Sequence, residues 1–240
     1  MRRSKATKGL VMSKNDKLND LFEEWENDKE KYSSEEQKTR DGIIDEEKYD
    51  GQVRKVLIIA KEPNNERDND YRDTMKPGDN DIDVKHGFCK RMAEWTCGLL
   101  KDFPPLEEID GNERVYAMRR MAFMNIKKTS GKGQVDMVDI KTAAEKHVKY
   151  IQREIKIIAP TIIVAAFGRN EDILKVVFPD MEIKSSGYDV SIGTWGNMAI
   201  ISFYHPSYRI PKSMSYALLK TVATSEPFTK LLPTTLNSQV

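Results

Sequence analysis

The chain has 240 residues, 39% hydrophobic and 32% charged, with a formal net charge of +1 at pH 7. That length and balance suit a soluble α/β domain with its own core, and they exclude a global pull toward nucleic acid, so a polynucleotide ligand requires a local basic groove. Cys89 and Cys97 are the only cysteines and stand at no zinc-ligand spacing, which argues against a structural metal or an iron–sulfur cluster and fits a reduced, cytoplasmic setting.

Residues 1 to 50 read as a charged extension and residues 51 to 240 as the main domain. The first twelve residues read as disordered, and their apolar stretch, Gly9 to Met12, is too short for a signal-peptide core. Leu18, Leu21, Phe22 and Trp25 recur at spacings of three and four, which predicts an amphipathic helix that docks on the main body. No run approaches the length of a membrane span.

Lys55 to Ala60 is almost unbroken apolar sequence with β-branched residues, as a strand buried on both faces requires. It ends in Lys61-Glu62-Pro63-Asn64. Asn64 to Lys85 is a long polar loop, with Glu66, Asp68, Asp70, Asp73, Asp79, Asp81 and Asp83 against Arg67, Arg72, Lys76 and Lys85. Helical patterning follows through Met92, Trp95, Leu99 and Leu100, and again from Gly111 to Arg120. Met121 to Met124 is a third apolar run; Asn125 and the basic residues Lys127, Lys128 and Lys132 follow it.

Ala143 to Ala159 has the strongest helical period, with Pro160 as its stop. Thr161 to Phe167 predicts a buried strand closed by Gly168-Arg169-Asn170. Ile173 to Phe178 predicts a helix, and Tyr188 to Ile192 a short strand before a turn over Gly193 to Gly196. Met198 to Phe203 is the last central strand, ending in Tyr204-His205-Pro206-Ser207, and Ser213 to Thr224 is the final helix.

Four apolar strands alternating with helices predict a three-layer α/β/α sandwich around a central, mainly parallel four-stranded sheet. Their carboxyl ends share one edge, where open α/β sheets bind ligands. Lys61, Glu62, Asn125, Arg169 and His205 all follow strands directly.

The order of these strand ends resembles the uracil-DNA glycosylase superfamily over roughly residues 53 to 225. Ala60-Lys61-Glu62-Pro63-Asn64 stands at the first, Gly-x-x-Pro, motif and Tyr204-His205-Pro206-Ser207 at the second, His-Pro-Ser, motif. Asn125-Ile126-Lys127-Lys128 is similar to a strand-end Asn-x-x-Lys that reads the base, and His86-Gly87-Phe88 resembles the segment that supplies a stacking ring. The first motif departs by Ala60 in place of glycine, by Glu62 where several branches carry Asp or Asn, and by Asn64 after the proline.

The resemblance implies a base-excision glycosylase that releases uracil or a related deaminated base from single- or double-stranded DNA, without cofactor or metal. Glu62 and His205 are then the catalytic pair, with Lys61, Pro63, Asn64, Phe88, Asn125, Pro206 and Ser207 around the substrate. Lys127, Lys128, Lys132, Arg209 and Lys212 are the candidate nucleic-acid contacts. Two alternatives share the sequence pattern: an inactive module that binds a base, nucleotide or nucleic acid, and an enzyme of small nucleosides or nucleotides. Each residue also has a structural alternative: His205 as a satisfied core histidine, Asn125 as a turn cap, and the lysines as a solvated loop.

Overall fold

The computed structural model describes residues 12–28, 30, 38–64, 69–76, 87–131 and 135–233. Strands β1 (Thr39–Arg40), β2 (Gly42–Ile43), β3 (Val56–Ala60), β4 (Asn69–Asp70) and β5 (Met121–Asn125) are followed by β6 (Ile162–Ala165), β7 (Lys184–Ser185), β8 (Ser191–Trp195) and β9 (Met198–Ser202). The helices are α1 (Lys14–Asn27), α2 (Glu46–Asp50), α3 (Tyr71–Thr74), α4 (Gly87–Leu100), α5 (Gly111–Met118), α6 (Met137–Ile158), α7 (Glu171–Val177), α8 (Lys212–Ala223) and α9 (Glu226–Thr229).

The main sheet has seven strands in the order β2-β5-β3-β6-β9-β8-β7. Its centre, β5-β3-β6-β9, is parallel, while β2, β8 and β7 join antiparallel. The expected four-stranded sheet is therefore corrected to a mixed seven-stranded one. The parallel strands are the apolar runs that alone can be buried on both faces; the added strands are two-residue edge pieces and the hairpin arm β8. The sequence predicts a turn over Gly193 to Gly196, but the strand runs on to Trp195, and Gly193 packs so closely that an added Cβ would stand 2.4 Å from Met181 and 2.6 Å from the Glu182 carbonyl. The chain reverses instead at Gly196, whose φ is +61°.

Alternating strand residues feed two cores. Val56, Ile58, Met121, Phe123, Val164 and Ile201 meet α4, α5, α8 and α9 on one face. Leu57, Ile59, Ala122, Met124, Ile163 and Ile200 meet α1, α6 and α7 on the other. Leu18, Leu21, Phe22 and Trp25 of α1 are buried in this second core, and each such side chain contributes about 1.5–3 kcal/mol. Trp25 also donates from Nε1 to Nδ1 of His147 at 2.9 Å. Helix α6 starts before the predicted Ala143 because Asp136 caps it, accepting from the Val138 N–H, and it ends at left-handed Ala159 (φ 51°) just before Pro160.

Of the polar stretch from Asn64 to Lys85, residues 64 and 69–76 are described. Thr39 and Arg40 of β1 pair with Asn69 and Asp70 of β4, and Arg72 is tied to Asp70 at 2.5 Å. Residues 65–68 and 77–86 lie outside the described residues, as do the predicted disordered start up to residue 11, His86 and Lys132.

Candidate functional site

Backbone pairing beyond the strand ends builds the site. The Ile126 N–H donates to the Ala60 carbonyl at 3.1 Å and the Lys127 N–H to the Lys61 carbonyl at 2.9 Å, so the segments leaving β3 and β5 stay side by side. On the far side, Phe203 donates to Ala165, and Gly168 and Arg169 donate back to Phe203. All four parallel strands thus deliver their ends to one edge.

There a cleft of about 270 Å³ is lined by Lys61, Glu62, Pro63, Asn64, Val135, His205, Ser207 and Tyr208. Its volume lies at the small end of ligand pockets, roughly 300 Å³. A second concavity, of about 300 Å³, opens at the opposite sheet edge among Leu99, Phe103, Ile162 and Phe228. It carries none of the strand-end residues.

The cleft unites Glu62 and His205, which stand more than a hundred residues apart in sequence. The Glu62 side chain is only 7% exposed and its Oε2 accepts from Lys127 Nζ at 2.8 Å. Its carboxylate lies directly against Gly131, where an added Cβ would stand 2.0 Å from Oε1. Lys61 is half-buried, and burial pulls its ammonium below the ordinary lysine range, partly offset by Glu62. Among the described residues the Lys61 ammonium has no hydrogen-bonded or ion-paired partner.

Burial, with the Lys61 charge nearby, brings His205 down from 6.5 to about 4, so the ring is neutral at pH 7. The Ser207 N–H donates to His205 Nδ1 at 3.2 Å, which leaves the proton on Nε2. The Tyr208 N–H closes the His205–Tyr208 turn by donating to the His205 carbonyl at 2.8 Å, with Pro206 at its second position. His205 therefore presents a fixed neutral donor.

Neither Phe88 nor Asn125 lines the cleft. The half-buried Phe88 ring packs 5.8 Å from Phe123 and 5.6 Å from the His205 ring. Asn125 pairs in register with Ala60 and shares the face of Phe123. It is 2% exposed, its N–H donates to Asp41 Oδ2 at 2.8 Å, and its Nδ2 has no hydrogen-bond partner. A buried amide nitrogen without a partner is costly.

The candidate basic contacts do not form one groove. Lys128 is 2% exposed and lies between Asp41 Oδ1 at 2.5 Å and Glu154 Oε2 at 2.8 Å, so its assignment to nucleic acid is corrected. The reason is strand alternation: Ala122, Met124, Ile126 and Lys128 point to the second core, while Asn125 and Lys127 point to the other face. Lys127 is neutralised by Glu62, Arg209 is exposed, and Lys212 is half-exposed at the start of α8. Lys132 lies outside the described residues.

Sequence reasoning missed Arg91 and Val135. Arg91 is 7% exposed; its guanidinium donates to the carbonyls of Tyr208 at 2.8 Å and Ile210 at 2.9 Å and so fixes the turn after the His-Pro-Ser motif. The signal is an arginine four residues before Trp95, on the helix face that Trp95 buries. Val135 is an apolar residue, 37% exposed, in a polar loop.

Among the described residues no group of three or more His, Cys, Asp or Glu stands close enough to hold a metal ion, and no helix is long and apolar enough to cross a membrane. In comparisons with known proteins, the chain matches no protein-family model and no curated protein.

Proposed function

We propose that the protein hydrolyses the N-glycosidic bond of uracil or a related deaminated base in DNA, as the superfamily resembled by its strand-end motifs does. The observation that carries this reading is the meeting of Glu62 with a neutral, tautomerically fixed His205 in one cleft. Breaking the C1′–N bond builds positive charge on the sugar and negative charge on the departing base. Glu62 orients the water whose oxygen bonds to C1′ as the C1′–N bond breaks, takes up the proton that this water loses and stabilises the sugar cation, while His205 Nε2–H donates to a carbonyl oxygen of the base, which leaves as its anion. Asn125 Nδ2 supplies a further donor for the polar edge of a flipped base, and Phe88 backs the His205 ring. The reaction needs no cofactor.

The test is release of free base from uracil-containing single-stranded and duplex oligonucleotides. The expected outcome is release by the intact protein and a loss of roughly 10²–10³-fold in His205→Ala, the usual cost of removing one donor to a developing anion. Absence of release by folded protein from both substrates overturns the proposal. One observation favours a second reading, a binding module of the same architecture: the Glu62 carboxylate is held by Lys127. Tight binding of uracil-containing DNA without turnover would select that reading.

A further inference from the structure

We infer that Tyr208, Tyr204 and Arg169 form a stacking platform for unpaired bases, so that single-stranded DNA is the form this protein engages. The inference rests on the base-excision reading and adds the strand form of its substrate.

Tyr208 lines the cleft beside Glu62 and His205 and is 51% exposed. Its ring lies against Tyr204, with centroids 5.1 Å apart and planes 31° from parallel. The Arg169 guanidinium sits 4.6 Å from the Tyr204 ring centre, and it is anchored by the Asp189 carbonyl at 2.7 Å and carboxylate at 2.5 Å. Beneath them Tyr204 meets Phe203 edge-on at 5.7 Å, and Phe203 meets Trp95 at 5.1 Å. Arg91, bonded to the Tyr208 and Ile210 carbonyls, holds the turn. The step is thus ordered before any ligand arrives.

Aromatic rings with a neighbouring guanidinium bind single strands without sequence readout, because every unpaired base offers a π-face. In a duplex those faces are already used by neighbouring bases.

The test uses the full chain, a labelled uracil-free oligothymidylate and its duplex with oligodeoxyadenylate, with binding read by fluorescence anisotropy. The expected result is single-strand binding at least about tenfold tighter than duplex binding, weakened roughly tenfold by Tyr208→Ala and retained in Tyr208→Trp. Circular dichroism on Tyr208→Ala checks that its fold is intact. Equal or tighter duplex binding, or a folded Tyr208→Ala that binds like the parent, overturns the inference. Because the probe holds no uracil, the outcomes separate. Base release without strand preference removes the platform alone, and Tyr208-dependent single-strand binding without base release removes the reaction alone.

Discussion

Lys127 and Lys128 leave the same strand end on opposite faces of the sheet. Lys127 meets Glu62 at 2.8 Å on the wall of the cleft. Lys128 enters the second core, where Asp41 and Glu154 are fully buried with it and the rings of Phe22 and Trp25 lie 5.4 and 5.5 Å from its ammonium. Burial opposes the Lys128 charge, but the Asp41 and Glu154 carboxyls outweigh it and hold the ammonium above its ordinary range. Burial also lifts Glu154 well above a usual carboxyl, against the pull of Lys128 and aided by Asp41. The same residue type thus serves one region as a hydrated partner and the other as a structural charge. Asp41 links the regions, since it also accepts from the Asn125 N–H.

The largest expected effect breaks the buried cluster. Lys128→Met leaves the Asp41 carboxyl without its cation in the core and should destabilise the protein by about 3–5 kcal/mol, the usual cost of orphaning a buried charge. Urea unfolding of the variant and the parent measures this. A loss below about 1 kcal/mol would mean that the cluster is wetter than its burial indicates.

A second contrast concerns protons at the cleft. Folded His205 takes up a proton only near pH 4, whereas an unfolded histidine does so near 6.5. Between these values the unfolded chain binds the extra proton. Stability present above pH 6.5 is therefore lost as the pH falls toward 4, by up to about 3 kcal/mol from this one group. In His205→Gln that part of the acid sensitivity should vanish, which unfolding midpoints at pH 7 and pH 5 will show. An equal acid loss in both proteins would assign it to other groups.

These two regions were unequally legible in the sequence. Strands β3, β5, β6 and β9 stood out because burial on both faces demands continuous apolar runs, and the stripe of α1 because one helix face is buried. Their ends then brought Glu62 and His205 together, since parallel strands share one edge. The edge strands β2 and β7 are two residues long and leave no periodic trace. The cluster of Asp41, Lys128 and Glu154 was hidden because its members are far apart in the chain and each looks like a surface charge. One clue was available: two adjacent lysines after a buried strand must point to opposite faces, so one of them faces a core.

The carboxylate of the cleft can be moved without touching its charge. An added Cβ at Gly131 would lie 2.0 Å from Glu62 Oε1 and 2.2 Å from Cδ, so Gly131→Ala must push the carboxyl group aside. Under the proposed reaction a displaced carboxylate should cost roughly tenfold to a hundredfold in base release, for about 1 kcal/mol of stability. Unchanged turnover would show that the observed Glu62 position is not the working one.

The smallest effect completes the comparison. Lys127→Met removes the partner of Glu62, but this carboxylate opens onto the cleft, where water takes over the vacated hydrogen bond. The loss should stay at about 1 kcal/mol or less, as for other hydrated ion pairs. Measured beside Lys128→Met in the same urea titration, it isolates surroundings from residue type, because the two substitutions are chemically identical and one position apart. Equal losses would mean that the cleft excludes water as the core does, and Glu62 would then need Lys127 to remain charged there.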